Sequence, residues 1–130
     1  MAIYLRFVVS QLDPDSGRRQ GLFQAAASLE ARGLLAPHEI DDYRTVVSWF
    51  RENLEKPSRF SISSRPHAKG QALSWFKDDA AIHIAKMRDF QRLLETHEVS
   101  VDILRTERPG YVVYEDEHQV AAYPFADTPT

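Results

Sequence analysis

The stretch VDILRTERPGYVVYEDEHQVAAY, residues 101–123, decides the fold. Apolar and polar side chains alternate through much of it with a period of two, the spacing of strands that bury one face, and residues that favour turns break the runs. Val101 to Arg105 (VDILR) is a predicted strand, Arg108-Pro109-Gly110 a turn, and Tyr111 to Glu115 (YVVYE) a second strand. Asp116-Glu117-His118 forms a polar hairpin tip from which Gln119 to Tyr123 (QVAAY) returns as the last strand.

Upstream of this stretch the apolar spacing is that of helices. A helix is predicted from about Ser74 or Asp78 to His97, with Ala80, Ile84, Met87, Phe90 or Gln91, and Leu94 on one face and two aspartates at its positive end. Before it, Pro37 suits a first helical position and Glu39 and Asp41 suit the first turn. Ile40, Tyr43, Val47, Phe50 and Leu54 then follow on one stripe until Pro57 ends the helix. An earlier helix, about Arg18 to Arg32, carries Leu22, Ala25, Ala26 and Leu29 at helical spacing, with Gly33 where a C-terminal cap belongs. The short Leu34 to Ala36 link predicts that these two helices are antiparallel. The chain opens with Ile3 to Val9 (IYLRFVV), a β-branched and aromatic run stopped by the turn-forming Asp13-Pro14-Asp15-Ser16-Gly17.

One strand, three helices and three further strands predict an α+β fold, a mostly antiparallel sheet with helices packed on one face. The first strand must join the C-terminal strands, because alone it would leave its backbone groups unpaired. Its continuous apolar run predicts a place near the sheet centre. The candidate core comprises Leu5, Phe7, Val9, Phe23, Leu29, Val47, Phe50, Ile84, Met87, Leu94, Ile103, Val113 and Val120. Residues 1–126 are predicted to form one domain and 127–130 a flexible tail.

At 130 residues, 43% of them hydrophobic, the chain is long enough to bury roughly two-thirds of its unfolded surface without a covalent staple. It has no cysteine, which excludes disulfides, thiolate metal sites and a cysteine nucleophile and fits the cytoplasm. Arg6 interrupts the apolar N-terminal run and no cationic flank precedes it, so no signal peptide is predicted. No apolar run approaches the roughly 18 to 20 residues of a membrane span, so a soluble protein is expected. There is no phosphate-cradling glycine loop, dinucleotide fingerprint, nucleophile elbow or metal spacing, and neither a cofactor nor a metal is expected.

Charge is distributed unevenly. The 22 residues KPSRFSISSRPHAKGQALSWFK, 56–77, hold no Asp or Glu but carry Lys56, Arg59, Arg65, Lys69 and Lys77 as well as His67. The formal net charge of the whole chain is −3, so the other 108 residues stand at −8. A slightly acidic chain is not the strongly basic domain of a dedicated nucleic-acid binder, yet the local patch suits an anionic surface. Arg59, Arg65, His67, Lys69, Trp75 and Lys77 are the candidate binding residues. The partners they suit are an acidic protein surface or a phosphate-containing ligand. A second copy of the chain is a further candidate, because its Glu115 to Glu117 hairpin is acidic.

Each conspicuous residue also has a purely structural reading. His83, between Ile82 and Ile84, fits a partly buried helix face; His97 fits a cation in the last turn; His118, among Glu115, Asp116 and Glu117, fits a solvated tip. His67 is the one candidate for proton transfer, with Arg65 and Lys69 beside it to hold a phosphate. That use would require a second acid or base, for which His83 and Tyr111 are the candidates. Trp49-Phe50 and Trp75-Phe76 are two aromatic pairs, each followed by a cation, that suit core packing or stacking. Arg105, Arg108 and Tyr111 around the turn fit structural ion pairs with nearby glutamates, and Arg18-Arg19 fits solvated charges at a helix entrance. The leading expectation is a non-enzymatic binding or regulatory protein that contacts an acidic partner through 56–77. The alternative is a small metal-independent nuclease or phosphodiesterase using the same segment.

Overall fold

The computed structural model describes residues 2–14, 17–54 and 72–130. In chain order they form β1 (Tyr4–Leu12), β2 (Arg19–Gly21), α1 (Leu22–Ala31), α2 (Pro37–Asn53), β3 (Leu73–Lys77), α3 (Ala81–Thr96), β4 (Val101–Thr106), β5 (Tyr111–Glu115) and β6 (Gln119–Tyr123). All strand pairings are antiparallel, and the three helices lie against the sheet, so the predicted α+β architecture holds. None of the described helices is long and apolar enough to cross a membrane.

β1 occupies the centre, as its apolar run predicts. One edge pairs with β4 from Tyr4–Thr106 to Val9–Val101. The other edge is shared, β3 taking Tyr4 and Leu5 and β2 taking over from Val8. β3 continues the sheet to β6, and β6 pairs with β5. Phe7 and Val9 of β1 and Phe76 of β3 meet Leu22, Ala26 and Leu29 of α1, Phe50 of α2, and Met87, Phe90 and Leu94 of α3 in one buried cluster.

Two helices and one core position differ from their sequence expectation. The predicted third helix begins only at Ala81, because Leu73–Lys77 is a strand. Trp75 and Phe76 point to opposite faces of the sheet and both are buried, so a strand enclosed on two sides shows no alternation. The first helix starts at Leu22 instead of Arg18, since Arg19–Gly21 extends into a short strand beside β1. It ends as predicted, with Gly33 left-handed (φ 69°), its N–H on Glu30 O and Leu34 N–H on Leu29 O. In the core, Leu22 takes the enclosed position and Phe23 is 38% exposed, although its ring sits edge-on to Phe50 and Phe90.

Asp127 and Thr128 contact the turn between β4 and β5. Asp127 accepts from Arg108 at 3.1 Å, and the buried Thr128 donates to Arg108 O at 3.1 Å. The Arg108 guanidinium also lies over the Phe125 ring. Asp127 is therefore the acidic partner that Arg108 finds.

Candidate functional site

The C-terminal end of α2 and the tip of the β5–β6 hairpin enclose an open pocket of about 460 Å³, lined by Arg51, Glu52, Asn53, Leu54, Tyr114, Asp116, Glu117 and His118. A local hydrogen-bond system builds its hairpin wall. One Asp116 carboxylate oxygen accepts from the backbone N–H groups of His118 (2.8 Å) and Gln119 (3.0 Å), which closes the tip. The other accepts from Tyr114 OH (2.9 Å) and from the buried Gln119 side-chain amide (3.0 Å). Burial alone would raise the Asp116 pKa, but these bonds outweigh it and hold the carboxyl below its ordinary value.

The two walls are joined through α3. His83 is 5% exposed, and its Nε2 donates to Asn53 O at 2.7 Å, which ties α3 to the last residue of α2. The His118 ring stacks on it with centroids 4.2 Å apart and planes 29° from parallel. The Trp49 ring meets His83 edge-on, and Lys86 lies over the Trp49 ring. Three residues far apart in sequence thus fix the pocket's shape: Asn53, His83 and His118.

Asp116→Ala removes the acceptor of four donors and is expected to cost about 1–3 kcal/mol at neutral pH, read from denaturant melts. A folded-state pKa below the unfolded one stabilises the protein above the unfolded value and loses that contribution as pH falls through the folded one. The deficit of Asp116→Asn should therefore be full above about pH 4 and shrink below it. A deficit that is constant from about pH 3 to about pH 7 would mean that ionisation of Asp116 contributes nothing.

In charge, the pocket sets Glu52, Asp116 and Glu117 against Arg51, so it attracts cations. In the somewhat larger groove between α2 and α3, about 510 Å³, the balance is closer, with Glu39, Asp42 and Asp89 against Lys86 and Arg92. There Arg92 pairs with Asp89 and His97 with Glu39, which also accepts from Ala36 N–H. His97 thus joins the end of α3 to the start of α2.

Of the six predicted binding residues, Arg59, Arg65, His67 and Lys69 lie outside the described residues. Trp75 is 1% exposed in β3, and Lys77 pairs with Glu115 at 2.6 Å. The two acid–base candidates are not together: His83 is enclosed behind the pocket, while Tyr111 opens β5, at the other end of that strand from the tip. The sequence shows Asp116, Glu117 and His118 as an acidic hairpin tip but gives no sign that Arg51 and Tyr114 join them in a pocket. No group of His, Asp and Glu that could hold a metal occurs among the described residues. Comparison with known proteins finds no matching family model, no curated relative and no similar solved structure.

Proposed function

We propose that this chain is a binding protein whose basic segment, 56–77, engages an acidic protein surface, and that the surface it fits is the hairpin pocket of a second copy. The observation that carries this reading is the pocket's charge, three carboxylates against one guanidinium, on the same chain as a run of five cations and no carboxylate. The Lys77–Glu115 pair is an instance of the same contact within one chain. Single exposed pairs contribute about 0.2–1 kcal/mol, so affinity depends on several forming together and falls steeply with salt.

The hydrolytic alternative draws less from this geometry. A phosphodiester in the pocket would face Glu52, Asp116 and Glu117 with Arg51 alone to offset them. The Nε2 proton of His83 is already held by Asn53 O. Binding of a cationic segment follows the field of the pocket, whereas phosphate binding opposes it.

Sedimentation velocity tests the proposal. The expected result is a concentration-dependent dimer at about 50 mM salt that dissociates near 1 M, where the screening length is about 3 Å. The Arg65→Glu, Lys69→Glu double variant should be monomeric throughout. One oligomeric state at every salt and protein concentration, shared by the variant, would overturn self-association. A segment satisfied within its own chain would give that result with a monomer.

A further inference from the structure

The face of the sheet turned away from the described helices carries two buried N–H donors with no partner among the described residues: Arg6 Nη1 and Trp75 Nε1. Their positions are related. β1 and β3 pair Tyr4 with Lys77 and Leu5 with Phe76, and Arg6 and Trp75 are the next residue along each strand. Leu5 and Phe76 face the helices, so Arg6 and Trp75 share the opposite face. The β3 pairing stops at Leu5 and the β2 pairing starts at Val8, so this is also where the two neighbouring strands part along one edge of β1.

We propose that Arg6 and Trp75 bind a small oxyanion, phosphate or carboxylate, at this fork in the sheet. A buried donor without an acceptor keeps the full penalty of lost hydration, and a guanidinium bears it more heavily than a neutral group. The rest of the Arg6 fork does not relieve it, since Nη2 donates to the Arg19 backbone carbonyl at 3.1 Å, which carries no net charge. The nearby carboxylate, Asp102, is taken by Arg19, whose Nε also donates to Val9 O. Burial first, and then the charges of Arg18 and Arg19, bring the Arg6 pKa down to about 10. An oxyanion would supply acceptors to both orphaned donors and counter the buried charge of the guanidinium itself, and a guanidinium with an indole N–H offers a charged fork plus one directed donor. This inference is independent of the self-association proposal, whose pocket lies on the helix side of the sheet.

Thermal melts at constant ionic strength, with chloride exchanged for phosphate in one series and acetate in another, test the site. At ten times the dissociation constant the bound anion should raise Tm by roughly 5 °C in a chain of this length. A response to phosphate alone assigns a phosphate site, and a response to acetate alone a carboxylate site. Trp75→Phe keeps the ring packing and deletes one donor, and Arg6→Met keeps the stem and deletes the fork. Each should weaken the apparent affinity at least about tenfold, the loss of one charge-assisted hydrogen bond. In a Trp49→Phe background the Trp75 emission should change and saturate over the same anion concentrations. No Tm rise with either anion, or an equal rise in wild type and Trp75→Phe, would overturn the site.

Discussion

Phe50→Ala is expected to destabilise the protein by about 3–5 kcal/mol, a fall in Tm of roughly 10–20 °C for a domain of this size. The ring is 4% exposed and joins all three helices to the sheet. It meets Phe23 of α1 edge-on, Phe90 of α3 nearly parallel, Phe76 of β3 at a tilt, and its own neighbour Trp49 edge-on. Truncation leaves a cavity whose walls belong to four elements, so no single side chain can move to fill it. Phe50→Leu, which keeps most of the volume, should recover more than half of the loss. A loss below about 1 kcal/mol in denaturant melts of Phe50→Ala would remove this ring from the centre of the core.

Gly110→Ala is expected to cost at least about 3 kcal/mol, or to leave the protein unfolded, although it adds only one methyl group. Gly110 has φ 134°, a conformation that side chains rarely adopt. Its would-be Cβ would collide with the backbone carbonyl of Tyr123 and lie 2.8 Å from Pro124 Cα. Both obstacles are main chain, fixed by the β5–β6 pairing of Tyr111 with Tyr123, so a rotamer change cannot relieve them. The substitution should lower the denaturation midpoint and increase exchange of the β5 and β6 amides. Gly17→Ala is the control: φ is also positive (71°), but nothing lies within 4 Å of the added carbon. If the two substitutions cost the same, the close approach at Tyr123 is not what holds Gly110.

What could be read from the sequence follows from where each element's information lies. β4, α2 and most of α3 carry their own period over five or more residues, and β5 and β6 are apolar runs framed by the Arg108–Gly110 turn and the Asp116–His118 tip, so their patterns point directly to them. β3 carries none, since Trp75 and Phe76 are neighbours buried on opposite faces, and Asp78-Asp79 beyond them imitates a helix start. β2 is three residues long, shorter than any detectable period. The pocket is a product of tertiary structure alone. Asn53 meets His83 across 30 residues, and the His83–His118 stack joins α3 to the hairpin tip. The acidic tip is visible in the sequence, but only the fold turns it into one wall of a pocket. Arg6 likewise looks like an ordinary interruption of an apolar strand until the pairing of β1 with β3 puts it on the same face of the sheet as Trp75, just past the last paired residues.

The pairing of the basic segment with the pocket is tested most directly by mixing two charge-reversed proteins. Arg65→Glu, Lys69→Glu removes the cations of one side, and Glu52→Lys, Glu117→Lys removes two carboxylates of the other without touching Asp116, which holds the hairpin. Each variant alone should be monomeric at about 50 mM salt, where surface charges interact over more than 10 Å. Dimerisation between identical copies through two equivalent contacts leaves each variant with only mismatched contacts. A mixture permits one contact that joins an original basic segment to an original pocket and another that joins the two reversed surfaces. The predicted result is that the mixture regains a dimer in sedimentation velocity that neither variant forms alone, and loses it again near 1 M salt. Two variants that stay monomeric when mixed, while the wild type dimerises, would place the contact elsewhere on the chain and contradict the account.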